Sequence, residues 1–126
     1  MKFNTIDYIE NTKLAVIKLN RPEKRNAMNA EMISELTILF NYLRDNKEVV
    51  LIQLVGKGDS FCAGADISWL KSLEGDNNEE IQGKFQQLAD MLEAFYSLPQ
   101  ITFSFVHGSA YGGGLGLLAC SDFVIS

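Results

Sequence analysis

Of 126 residues, two are cysteine, two proline and one histidine. Cys62 and Cys120 stand apart without metal-ligand spacing, so no metal centre is expected, and the pair reads as buried thiols of a reducing, cytoplasmic setting. The opening Met1-Lys2-Phe3-Asn4 has no apolar stretch of the kind a secretory leader needs. Positive charge is sparse and scattered, 11 Lys and Arg against 16 Asp and Glu, which argues against a nucleic-acid footprint. The apolar run from Ile101 is broken by Ser104, His107, Ser109 and glycines, so no membrane span is expected there. Internal repeats and low-complexity linkers are also missing. What remains is 47% hydrophobic and 21% charged, the make-up of one globular core.

Glycine is what the chain concentrates. His107-Gly108-Ser109-Ala110-Tyr111-Gly112-Gly113-Gly114-Leu115-Gly116 leaves a strand-like run and enters a small apolar segment with helical spacing at Leu115, Leu118 and Ala119. Removing Cβ from a turn lets a bound group approach the main chain, and the first N–H groups of a helix are unpaired donors. Close packing of the helix on the sheet is the competing explanation. No Lys-Ser or Lys-Thr follows these glycines and no G-x-G-x-x-G fits positions 108 to 116, so the two common nucleotide motifs are excluded.

Ile6 to Glu10 and Leu14 to Leu19 predict a hairpin across Asn11-Thr12-Lys13. The polar loop from Asn20 to Ala27 holds Arg21, Lys24 and Arg25, a basic trio that meets a phosphate or is simply solvated. Asn29 predicts an N-cap for a helix to about Asp45, with Met32, Leu36, Leu39, Phe40 and Leu43 on its core face. Val49 to Val55 predicts a parallel strand covered on both faces. Strand, helix, strand in this order defines the class as α/β.

A second stretch of small residues, Phe61-Cys62-Ala63-Gly64-Ala65-Asp66-Ile67, then follows a strand end, where ligands bind in open α/β sheets. Asp66 reads as the cap of a short helix through Ile67, Trp69, Leu70 and Leu73. Glu74 to Glu80 predicts a mobile acidic loop. A helix from Glu79 to about Tyr96 carries an apolar stripe of Ile81, Phe85, Leu88, Leu92 and Phe95, for the core or a subunit contact. Leu98-Pro99 ends it, and a last buried strand begins at Asp122. A chain closing on a bare strand leaves an unpaired edge, so a longer chain is expected.

Three separated segments carry a family resemblance. Leu19-Asn20-Arg21-Pro22-Glu23-Lys24-Arg25-Asn26-Ala27-Met28-Asn29, the Phe61 to Ile67 stretch, and His107 to Gly114 with Ala119-Cys120-Ser121-Asp122 resemble, in order and spacing, the crotonase superfamily of enoyl-CoA hydratases and isomerases. The resemblance implies a crotonase-like spiral of β-β-α units, residues 1–126 being the N-terminal part of one domain that stops before a C-terminal helical region. It implies an acyl-CoA substrate, no cofactor beyond the coenzyme A moiety of that substrate, no nucleic-acid or membrane partner, and a homotrimer or hexamer when full length. It also implies an oxyanion hole made by the backbone N–H groups of Ala65 and Gly113. Coenzyme A would lie against Lys24, Arg25, Ala63, Ala65, Asp66, Ile67 and Gly113.

The chain departs from the best-known hydratases at Gly116, where they carry a catalytic glutamate; their second glutamate falls about twenty residues later, past Ser126. A general acid or base contributes about 100- to 10,000-fold, so these residues alone are expected to be a poor catalyst. Gly116 is similar to the pattern of methylglutaconyl-CoA hydratase-like proteins. Hydration is preferred to isomerisation. A single-glutamate double-bond isomerase, decarboxylation or thioester hydrolysis on the same site, and a non-catalytic acyl-CoA-binding or assembly module stay open. His107 reads as a structural residue rather than a base, Cys62 as a packed residue rather than a nucleophile, and Tyr111 either lines the acyl pocket or belongs to the core.

Overall fold

The computed structural model describes residues 1–108, 110 and 113–126, with Gly113 and Leu115 described only as members of their helix. β1 (Ile6–Glu10) and β2 (Leu14–Leu19) pair antiparallel with Ile6 opposite Leu19, as the alternating sequence predicts. α1 (Ala30–Arg44) crosses to β3 (Leu51–Gly56), which runs parallel to β2. α2 (Ile67–Ser72) and α3 (Asn78–Tyr96) lead to β4 (Ile101–Phe105), parallel to β3. α4 (Gly113–Ala119) leads to β5 (Phe123–Ile125), giving a five-stranded sheet in sequential order.

Asn29 caps α1 by accepting from the Met32 N–H, and Met32, Ile33, Leu36, Leu39, Phe40 and Leu43 are buried against the sheet. Each such side chain contributes about 1.5–3 kcal/mol on burial, so this face alone anchors the helix. Phe40 stacks on Phe95 of α3 with ring centroids 4.8 Å apart, closing the core between the two helices.

Four expectations need correction. β3 begins at Leu51, not Val49: the Leu51 N–H donates the first ladder bond to the Lys13 carbonyl, and the Val50 N–H ahead of it turns onto that same oxygen. Its burial alternates, with Ile52 and Leu54 buried and their neighbours half-covered, so the described residues cover one face fully and the other in part. The acidic stretch is ordered: Leu73–Gly75 forms a 3-10 turn, Asp76 pairs with Lys84 at 2.6 Å, and Asn77 and Glu80 form a capping box that opens α3. Finally, β5 is not buried among the described residues; Phe123 is 54% exposed. The α3 stripe divides likewise. Phe95 and Met91 are buried, while Phe85 lies edge-on to Trp69 and is 47% exposed. In α4, Gly114 and Leu117 are buried, Leu118 is half-buried and Ala119 is exposed.

Candidate active site

Two loops at the carboxyl ends of β2 and β3 form the floor of the site. The first, residues 20–29, makes a 3-10 turn over Pro22–Lys24 and then passes two left-handed residues, Arg25 (φ 53°) and Asn26 (φ 56°). This conformation is costly for most L-residues and best tolerated by asparagine. Asn26 is fully buried and uses its whole amide. Its Oδ1 accepts from the Arg21 N–H at 2.8 Å, and its Nδ2 donates to the carbonyls of Lys57 (2.9 Å) and Ser60 (2.8 Å).

The second loop, residues 57–66, is strapped to the first by backbone bonds. Ala63 donates to the Arg25 carbonyl (2.9 Å), Met28 to that of Gly64 (2.7 Å), and Asp66 to that of Met28 (2.9 Å). Met28 and Ala65 thus face each other in a parallel bridge, and Cys62 forms a second bridge to Ala110. The bonds of the Met28 bridge use the Gly64 carbonyl and the Asp66 N–H, so the Ala65 N–H points away from the first loop. No acceptor for it is found among the described residues.

Two glycines permit these approaches. A Cβ on Gly108, at φ +68°, would fall 1.8 Å from the Asp59 carbonyl oxygen. One on Gly114 would fall 2.8 Å from the Cys62 carbonyl oxygen, so the start of α4 packs directly on the second loop.

Asp66 sits where both loops and α2 meet. Its Oδ1 caps α2 by accepting from the Trp69 N–H at 3.2 Å, and its Oδ2 pairs with Arg21 Nη2 at 3.1 Å, the second guanidinium arm donating to the Ala27 carbonyl. Burial pushes the Asp66 carboxyl upward and is the largest single influence. The combined donation from Trp69, Arg21 and Ser68 and the Arg21 charge outweigh it and hold the group below its ordinary value. Asp66 therefore stays ionised at neutral pH.

A cavity of about 370 Å³ lies on these loops, lined by Lys24, Arg25, Ala63, Ala65, Asp66 and Ile67 together with Glu23, Ala27 and Ser68. Six of the seven residues singled out from the sequence thus border one hollow. The seventh, Gly113, opens α4, and the direction of its amide lies outside the described residues, as does Tyr111. A somewhat larger hollow of about 430 Å³ between α1 and α3 has Asp90 as the one charged residue in its described lining. It holds none of the clustered small residues and is a less chemical surface.

Other candidates take structural places. His107 Nε2 contacts the Gly58 carbonyl at 2.6 Å, which makes that nitrogen the donor and latches the strand end to the second loop. Burial pushes the Cys62 thiol up, against a smaller opposing contact with Gly64, so it is a poor nucleophile. A Cβ on Gly116 would meet Leu92 Cδ1 at 3.3 Å, so an apolar side chain of α3 stands where that position points. Arg21 and Asn26 are the residues that sequence reasoning did not single out individually. The available signal was an asparagine, tolerant of left-handed backbone, directly after a proline-led turn.

A β-β-α spiral whose strand-end loops meet over Cβ-poor backbone defines the crotonase class of fold. The chain belongs to the enoyl-CoA hydratase/isomerase family: residues 9–126 match that family's sequence profile. It is 33% identical over 127 aligned residues to the crotonyl-CoA hydratase of Syntrophomonas wolfei, covering all of this chain and 48% of that protein. It is 39% identical over 114 residues to YngF of Bacillus subtilis, covering 89% of this chain and 43% of that one. Among solved structures, an enoyl-CoA hydratase from Shewanella pealeana superposes with a TM-score of 0.94 at 29% identity, covering 98% of this chain and 46% of that one. AtuE of Pseudomonas aeruginosa superposes at 0.92 with 31% identity, covering 96% and 47%. The chain spans a little under half the length of the relatives it matches. No described helix is long and apolar enough to cross a membrane.

Proposed function

We propose that this protein acts on an acyl-CoA thioester, adding water to a conjugated double bond through an enolate-like intermediate. The observation that carries this reading is the Ala65 N–H: it is turned away from the first loop, without an acceptor among the described residues, at the edge of a cavity bordered by Lys24 and Arg25. In the proposed complex the amides of Ala65 and Gly113 both donate to the thioester oxygen. As the oxygen of water bonds to C3 and gives up a proton, the C2=C3 π pair shifts toward the thioester oxygen; the enolate then takes a proton at C2 and the carbonyl re-forms, so that one water is added overall. Two preset donors gain strength as the charge develops, which lowers the barrier without reorganisation. The cations of Lys24 and Arg25 meet the phosphates of coenzyme A, and no further cofactor takes part. Assembly as a trimer or pair of trimers belongs to the same proposal. The hydratase names of relatives such as the Syntrophomonas wolfei protein support hydration over isomerisation.

Gly116 supports a second reading. With no ionisable group there and Leu92 packed against the position, the site is one of thioester binding and polarisation, with weak or no turnover. Both readings share the oxyanion pair. Gly113→Pro removes its N–H at a first helical position, where proline is tolerated. Thioester polarisation, or turnover where present, should fall about 100-fold while the fold survives. Unchanged polarisation in that variant refutes the oxyanion assignment. Measurable hydration of a short enoyl-CoA by the wild-type protein then separates enzyme from binding module.

A further inference from the structure

We propose that Arg21 and Asp66 are positioning residues, an ion pair whose task is to aim the Ala65 amide. The inference deepens the oxyanion reading and rests on it. The methyl side chain of Ala65 makes no hydrogen bond that could fix its orientation, and its N–H makes no bond among the described residues. What holds it is its neighbour. Asp66 donates its own N–H to the Met28 carbonyl (2.9 Å), caps α2 through Oδ1, and binds Arg21 through Oδ2 at 3.1 Å. Arg21 reaches across from the first loop, 45 positions away in sequence, and its other arm donates to the Ala27 carbonyl.

The pair is set apart from ordinary surface bridges by its surroundings. The side chains of Arg21 and Asp66 retain 14% and 8% of their exposure, whereas the Arg44–Asp45 contact retains 57% and 81%. A partly buried, charge-assisted bridge tolerates little change of geometry. Arg21 does not border the cavity; its side chain meets the residues assigned to coenzyme A at Asp66 and leaves the cations of Lys24 and Arg25 untouched, while its carbonyl accepts from the Lys24 N–H. Its loss should therefore leave nucleotide binding in place and blur the direction of one donor. Misplacing a reacting group by about 1 Å costs on the order of 100-fold.

The test separates the two functions. Acetoacetyl-CoA is an enolisable thioester whose enolate absorbs in the near ultraviolet, so its bound enolate fraction reports on oxyanion stabilisation, while affinity for free coenzyme A reports on the nucleotide end. For Arg21→Met the expected result is a drop of about 10- to 100-fold in the enolisation constant with coenzyme A affinity within about two-fold of wild type. Arg21→Lys keeps the charge and should recover part of the enolate signal; it also decides the matter should Arg21→Met fail to fold. Equal losses of enolate and coenzyme A affinity, or no enolate loss in either variant, overturn the inference while leaving the oxyanion reading standing. A wild-type protein that binds the thioester without enolising it overturns both.

Discussion

Removal of the Asn26 side chain is the most severe single change the site loops should undergo. Asn26→Ala leaves two part-buried or buried groups without partners, the Arg21 N–H and the Ser60 carbonyl, each costing about 1–3 kcal/mol. The third partner, the Lys57 carbonyl, belongs to an exposed residue and can turn to water. Alanine at φ 56° adds about 1 kcal/mol, so the total is about 3–7 kcal/mol against a whole-domain stability of about 5–15 kcal/mol. At about 3–5 °C per kcal/mol for a chain of this size, the thermal midpoint should fall by about 10–35 °C. Urea unfolding followed by circular dichroism measures the free energy directly. Asn26→Asp sharpens the test, because a carboxylate there faces two carbonyl oxygens and its folded-state pKa is raised. The donor is restored only by protonation, so the loss should be smallest below about pH 4 and grow as pH rises through that raised value. A cost of under about 1 kcal/mol for Asn26→Ala, or a pH-independent cost for Asn26→Asp, refutes the argument that this amide joins the loops.

Gly108→Ala should cost about 2–4 kcal/mol, from left-handed strain and a Cβ driven onto the Asp59 carbonyl; an unchanged melting temperature contradicts the observed approach. Lys24 and Arg25 are exposed, so replacing both with alanine should leave stability within about 0.5 kcal/mol. Coenzyme A affinity should weaken about 3- to 30-fold at low salt and by less as salt is raised; a salt-independent loss, or none, removes these cations from the phosphate site.

The local signals in the chain reached the elements and their ends. Alternation in Ile6–Glu10 and Leu14–Leu19, the Asn29 cap with its stripe, and the proline after Leu98 each act within a few residues, where hydrogen bonding and side-chain period leave few choices. Two of the three spaced segments, 19–29 and 61–67, also named the loops that border the cavity. Exposure was less legible: Phe85 and Phe123 continue apolar patterns, yet whether such a face is covered depends on which elements lie across from it.

The sequence by itself determined the order of strands and helices, the caps of α1 and α2, and the two Cβ-poor loops, because each is set by short-range backbone geometry. Only the tertiary structure decided that Arg21 would meet Asp66, that the Asn26 amide would span two loops, and that the Ala65 N–H would face away from both Met28 and its bonds. Those contacts join positions more than thirty residues apart, and their geometry follows from how a twisted parallel sheet brings its strand ends together, which no local pattern records.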